Sequence, residues 1–280
     1  MKRLSKNFVR LLAIVLMAVA CLSFVGCKDV RHATLNVSYY DNVASQEKEI
    51  AFSLDLYRNF APETVDAMLS YIKDGYYDGC IFYKTATESN VLKVGDLKMV
   101  DGQIVKNDIK PTIDGEFENG KVKGSNLQNK KGSIGLWRSW TEHDGNHMTS
   151  TSTDTGRSTW FMPLTDSPIS TYEGWFCVFA QINLDADGAA DAFSAIDTLF
   201  DDEDCFVEYV IYYTGEYDET KADEDYGLEF HAELADEFDE NTTVFEAEGN
   251  QLVCYNKATI RVAIVPNTDN VTAVVKSAKA

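Results

Sequence analysis

Positive charge is scarce in this chain. Against 45 Asp and Glu stand 25 Lys and Arg, leaving a formal net charge of −20. Four of those cations, Lys2, Arg3, Lys6 and Arg10, precede the first apolar run, so the remainder carries about −24. A surface of that sign excludes nucleic acid and anionic lipid surfaces as partners. Proline is also scarce, with 5 residues. No glycine-rich phosphate loop is present, and no signature of Ser-His-Asp catalysis. No internal repeat organises the chain. Outside the N-terminus no apolar run approaches a membrane span.

The exception is Leu11 to Val25, uncharged and apolar, preceded by the four cations. It has the length of a signal-peptide core and is short for a span. It ends Ser23-Phe24-Val25-Gly26-Cys27, a small residue before Cys, which resembles a bacterial lipoprotein signal. An ordinary secretory signal containing Cys is the alternative. The lipoprotein reading removes residues 1–26, attaches lipid to Cys27, leaves 27–34 as a tether, and puts the protein outside the cytoplasm, anchored to a membrane. Cys80, Cys177, Cys205 and Cys254 remain, allowing three pairings that sequence does not separate. Cys80 and Cys177 sit in apolar runs and read equally well as buried thiols.

Leu35, Val37 and Tyr39 alternate, and so do Ile50, Phe52, Leu54 and Leu56, which predicts two strands. Ala61-Pro62-Glu63-Thr64 opens a helix, and Val65, Met68, Leu69 and Ile72 form its apolar face. Gly75 stops it. Strands are predicted at Cys80–Tyr83, Val91–Leu92, Thr159–Leu164, Trp175–Ile182, Cys205–Tyr213 and Ala258–Ile264, and Ser133–Trp137 is a further apolar run. Ala189, Phe193, Ile196 and Phe200 recur at helical spacing. Residues 97–131 and Thr141–Arg157 read as loops, and Leu228–Phe238 as a polar helix. Between Asp201 and Glu248 stand 19 acids and one base, Lys221. Two helices among many short strands suggest a small closed barrel rather than a wound sheet.

The order of these pieces resembles the cyclophilin family. APETVDAMLSYIKDGYYDGCIFYK is followed by VGD at 94–96, GSIGLWR at 132–138, STWFM at 158–162 and EGWFCVFAQI at 173–182. The resemblance implies a mostly β fold, a closed eight-stranded antiparallel barrel capped by two helices. Residues 35–200 plus 252–270 would build it, with 201–251 as an acidic insertion before the last strand. It implies peptidyl-prolyl cis-trans isomerase activity, with no cofactor and no metal. The partners would be Xaa-Pro-containing peptides or unfolded exported proteins. The uncatalysed barrier is about 18–20 kcal/mol because rotation breaks amide resonance. A catalyst needs an apolar socket for the proline ring and a fixed donor for the carbonyl oxygen.

Carried over by resemblance, the catalytic Arg position is Lys84. Val91 and Lys93 take the Met and Gln positions. Thr159-Trp160-Phe161 takes the Gln-Phe-Phe strand, with Phe161 at the base of the socket. Trp137-Arg138 takes the small-then-Asn pair, Phe176 the groove His, and about Thr171 the groove Trp. Lys keeps charge but not the planar fork that fixes a carbonyl, so weak or altered activity is expected. A binding protein without turnover is the rival expectation. His143 and His147 with Glu142 and Asp144, and the acidic run Asp201–Asp204, carry metal-ligating residue types, but solvated polar loops are the commoner use of such residues.

Overall fold

The structure is a computed structural model that describes residues 29–41, 45–85, 90–117, 127–138, 142–143, 147–148, 154–200, 206–215, 218, 220–221, 227–238, 255–263 and 274–279. In chain order its elements are β1 (Val30–Asp41), β2 (Gln46–Tyr57), α1 (Pro62–Lys73), β3 (Tyr83–Thr85), β4 (Val91–Val94), β5 (Leu97–Val100), β6 (Gln103–Lys106), β7 (Ser133–Leu136), β8 (Glu142–His143), β9 (His147–Met148), β10 (Trp160–Pro163), β11 (Val178–Ile182), α2 (Ala189–Phe200), β12 (Phe206–Thr214), β13 (Glu229–Leu234), β14 (Tyr255–Ala263) and β15 (Val274–Lys279).

The long hairpin β1–β2 follows from its alternation. Phe52, Leu54 and Leu56 turn inward while Glu49 and Ala51 face solvent. Pairing runs unbroken from Val30 opposite Tyr57 to Asp41 opposite Gln46. Helix α1 begins at Pro62, where a missing N–H costs nothing. Val65, Met68 and Ile72 are buried, as the spacing predicts. Ala61 precedes α1 and has no side chain to cap it. Glu116 supplies the cap from a distant loop, accepting from the backbone N–H groups of Glu63 at 3.0 Å and Thr64 at 2.8 Å. Gly75 ends the helical region at φ +70°, a conformation cheap only for glycine.

Eleven strands form one antiparallel sheet in the order β13-β12-β14-β3-β4-β10-β7-β11-β2-β1-β15. It is strongly curled, a half-barrel. A mostly β fold with a curled sheet and two helices is as expected; the strand order among the described residues is linear, and no pairing there joins β13 to β15 to close a barrel. Strands β12 and β13 come from the acidic stretch and extend the sheet beyond β14. Strand β15, not anticipated from sequence, covers the free side of β1.

Two sequence readings are corrected. The stretch expected to be loop from residue 97 contains the hairpin β5–β6, closed by Asp101-Gly102 with φ of 50° and 82°. Two positive φ values in a two-residue loop match the right-handed twist of the strands. The expected polar helix near Leu228–Phe238 is strand β13 followed by a turn. Its alternation, Phe230, Ala232, Leu234 against Glu229, His231, Glu233, has period two.

The main core gathers alternate side chains of β1, β2, β4, β7, β10 and β11 with the inner faces of α1 and α2. A separate aromatic cluster lies on the other face of β4 and β10. Cys80 and Cys177 are buried free thiols, and burial pushes the Cys80 thiol up to about 12. Cys205 and Cys254 lie outside the described residues, as do Cys27 and Asp201–Asp204; so do the side chains of His143 and His147 on β8 and β9.

Candidate active site

Three strand pairings align one row of residues. Tyr83 on β3 stands opposite Lys93 on β4, Lys93 opposite Phe161 on β10, and Phe161 opposite Gly135 on β7. Residues directly opposite in an antiparallel pair share a face. Gly135 is needed in that row, because a Cβ there would lie 2.4 Å from Cζ of Phe161. The bare backbone of β7 is what the Phe161 ring rests on.

Around Phe161 a socket assembles. Val91, Tyr172 and Phe176 are buried with it, and Phe161 itself is 0% exposed. Phe161 meets Tyr172 at 5.5 Å and Phe176 at 5.3 Å, both edge to face. Tyr172 and Phe176 lie 4.6 Å apart. A tight turn sets both rings in place: Tyr172 N–H donates to the Ile169 carbonyl and Phe176 N–H to the Tyr172 carbonyl. Asn129 also donates to the Tyr172 carbonyl from Nδ2.

Trp137 fills this socket. Its ring stacks on Phe176 at 5.2 Å and 27°, and meets Phe161 edge to face at 5.7 Å. Lys93 Nζ sits 3.5 Å from the centroid of the Trp137 ring. The family resemblance puts a small residue where Trp137 stands; here the larger ring packs against Phe161, Tyr172 and Phe176.

Arg138, next in sequence, projects differently. It is buried, its Nε donates to the Trp175 carbonyl at 2.8 Å, and its guanidinium carbon lies 4.5 Å from the Phe117 ring and 5.7 Å from Phe176. Burial lowers its pKa to about 10, so it stays charged at neutral pH.

Of the residues assigned from sequence, Val91, Lys93, Phe161, Phe176 and Arg138 come together here. Lys84 does not join their row. It follows Tyr83 on β3 and stands opposite Arg261 of β14, so by alternation it belongs to the row of Leu92 and Met162, which face the main core. Lys84 is buried at 5% exposure. Trp160 likewise turns to the main core, edge to face with Phe82 at 5.8 Å and Tyr77 at 6.4 Å. Tyr172 was missed: counting placed the groove aromatic at Thr171, one residue away. Adjacent aromatics at Tyr172, Trp175 and Phe176 were the available signal.

A family model described as cyclophilin type peptidyl-prolyl cis-trans isomerase matches residues 43–211. Among solved structures, the chain is similar to a cyclophilin type peptidyl-prolyl cis-trans isomerase of Cryptosporidium parvum crystallised in the presence of the dipeptide Ala-Pro. That match has 16% identity, covers 56% of this chain and 84% of the other, and has a TM-score of 0.35. A cyclophilin from Hirschia baltica is 13% identical over 57% of this chain and 66% of its own, with a TM-score of 0.34. A comparison with curated proteins finds no match. On the family match, which spans more than half of its length, the chain belongs to the cyclophilin-type peptidyl-prolyl cis-trans isomerase family.

Proposed function

We propose that the protein is a peptidyl-prolyl isomerase of weak or altered activity, acting on Xaa-Pro segments of exported proteins at the cell surface, where lipid on Cys27 anchors it. Family membership supports the reaction class. The observation that carries the site assignment is the direct opposition of Lys93 and Phe161, which sets an ammonium beside an aromatic socket. In this reading Phe161, Val91, Tyr172 and Phe176 receive the proline ring after Trp137 swings out. Lys93 then holds the substrate carbonyl oxygen as the amide twists. A rotating ammonium fixes that oxygen less firmly than a guanidinium fork, which is why the rate is low.

Xaa-Pro isomerisation of a short peptide tests this. Lys93→Ala should lose rate, and Lys93→Arg should keep or raise it. No rate above background at high protein concentration would sink the enzyme reading. Mass spectrometry of the mature N-terminus tests the anchor: a diacylated Cys27 is expected, and an unmodified start elsewhere overturns it.

A second reading, a family member that binds peptides without turnover, is favoured by one observation, the Trp137 ring seated against a fully buried Phe161. Peptide binding with no turnover, even after Trp137→Ala, would support it.

A further inference from the structure

The 11-stranded sheet ends at β13, which among the described residues is paired on one side only, with β12. One hydrogen bond decides which backbone groups are left open. Ala235 N–H donates to the Glu208 carbonyl at 2.9 Å. In an antiparallel pair, residues that exchange hydrogen bonds alternate with residues that do not. The register is unbroken from Tyr209 opposite Leu234 to Thr214 opposite Glu229. Glu229, His231 and Glu233 therefore turn their N–H and C=O groups to β12, while Phe230, Ala232 and Leu234 turn theirs outward. Of these outward groups, the Leu234 carbonyl alone has a partner among the described residues, accepting from the N–H groups of Glu237 and Phe238 at 3.0 Å. The other five form an open ladder.

Between β13 and β6 runs a groove of about 720 Å³. Along it, Ile104 of β6 joins Phe230, Ala232 and Tyr209 in one apolar cluster. Phe230, Ala232 and Leu234 share one face of β13, and Glu229, His231 and Glu233 share the other. The second face is acidic, and Asp236 and Glu237 in the following turn add two carboxylates. None of the ion pairs between described residues involves these four acids. Glu229, Asp236 and Glu237 are exposed, and Glu233 accepts from the Tyr212 hydroxyl. The groove also holds Lys106, on the β6 wall, with Nζ 5.0 Å from the Tyr213 ring centroid. His231 stacks on Tyr212 at 4.9 Å and pairs with Thr214 Oγ1 at 2.7 Å.

We infer that β13 takes an added antiparallel strand, an extended segment of another protein in which basic and apolar residues alternate. Open N–H and C=O groups at every second residue require an extended chain with its own backbone free. Residues of the added strand opposite Phe230 and Ala232 share their apolar face, and those opposite Glu229 and Glu233 share the acidic one, so the pattern has period two. The net charge of −20 repels a second copy and attracts a basic segment. Charged side chains on an edge strand oppose pairing with itself. Here they leave the edge open to a partner of opposite sign. No residue of the aromatic socket takes part, so the inference stands apart from the isomerase reading.

The full chain is titrated by fluorescence anisotropy with three labelled octapeptides: Lys-Val repeats, Glu-Val repeats, and Lys-Val repeats methylated at every backbone nitrogen. The Lys-Val peptide should bind about tenfold more tightly than the Glu-Val peptide. Methylation keeps charge and apolar area but removes the donors, and should weaken binding about tenfold. Hydrogen exchange gives the second readout. On adding the Lys-Val peptide, the amides of Phe230, Ala232 and Leu234 should slow about tenfold or more, while those of Glu229, His231 and Glu233, already in the ladder, change least. Ala232→Pro removes one outward N–H without touching the bonds to β12, and should weaken the Lys-Val peptide about tenfold. Equal affinities for the Lys-Val and Glu-Val peptides, or for the methylated and unmethylated ones, overturn the inference. So does binding that leaves the three outward amides exchanging at their free rate. Slowing of those amides as the protein alone is concentrated also overturns it, because the occupant is then a second copy. A protein that binds the Lys-Val peptide as expected but never isomerises an Xaa-Pro peptide overturns the isomerase reading alone.

Discussion

Lys93 holds its ammonium 3.5 Å from the centroid of the Trp137 indole, and that same indole stacks on Phe176 from its socket side. One cation, one plug and one socket are thus stacked in sequence. A cation over an indole contributes about 0.5–2 kcal/mol, small enough for a bound peptide to displace. Trp137→Ala should therefore open the socket. Its kcat/KM for an Xaa-Pro peptide should rise on the order of tenfold. Its stability should fall by about 3 kcal/mol, since the stacked rings lose their neighbour. Paired isomerisation and urea-unfolding measurements check both, and an unchanged rate would show that the indole does not obstruct.

Gly135 controls the depth of the same socket. With a Cβ 2.4 Å from Cζ of Phe161, Gly135→Ala forces either the ring or β7 to move. The expected cost is about 1–3 kcal/mol, as for other overpacked cores. Unfolding in urea measures it, and full stability in the variant would mean that the ring retreats freely.

Asp96 gives the fold a pH signature. Its carboxyl is raised above its ordinary value chiefly by burial, against the lowering effects of the Tyr83 hydrogen bond and of Lys93 and Lys106. Oδ2 has the Tyr83 hydroxyl, while Oδ1 is buried without a partner. An acid whose folded pKa exceeds its unfolded value of about 3.9 lowers stability once the pH rises past that value. The cost is absent well below pH 4 and complete above the raised pKa. Asp96→Asn removes the ionisation, so its melting temperature relative to wild type should climb from about pH 4 towards neutrality. A difference that stays flat with pH would remove Asp96 from this role.

Glu116 capping α1 yields a further test. Glu116→Ala leaves the N–H groups of Glu63 and Thr64 without their acceptor at a buried helix end, costing about 1–3 kcal/mol. Glu116→Gln keeps one acceptor and should lose less. Equal losses in the two variants would mean that the side chain matters for its volume and not for the cap.

Much of this fold was legible because burial imprints a period. Phe52, Leu54 and Leu56 announced β2, and Val65, Met68 and Ile72 announced α1, since each set packs against one core. Strand β13 carried the same alternation, but its acids suggested a solvated helix. The hairpin β5–β6 was hidden by its brevity, although Asp101-Gly102 was a turn signal. The cap from Glu116 and the plug of Trp137 were not legible, because both join residues brought together only by the sheet.

Register was the hardest feature to read, and it carries the sharpest test. Sequence alone does not fix how β3 and β4 pair, and in a strand a shift of one residue exchanges faces. The pairing of Tyr83 with Lys93 puts Lys93 in the row of Phe161 and Lys84 in the alternate row. The two lysines should then fail differently. Lys93→Ala should reduce kcat/KM by about tenfold or more, with Lys93→Arg restoring it, because the lost interaction is with the substrate. Lys84→Ala should act mainly on stability, because its row faces the main core; burial alone does not separate the two lysines, since both are 5% exposed. Isomerisation rates and melting temperatures of both variants decide the matter. Turnover abolished by Lys84→Ala in a fully stable protein would return the catalytic cation to β3 and require β3 and β4 to pair one residue out of step with the register described above.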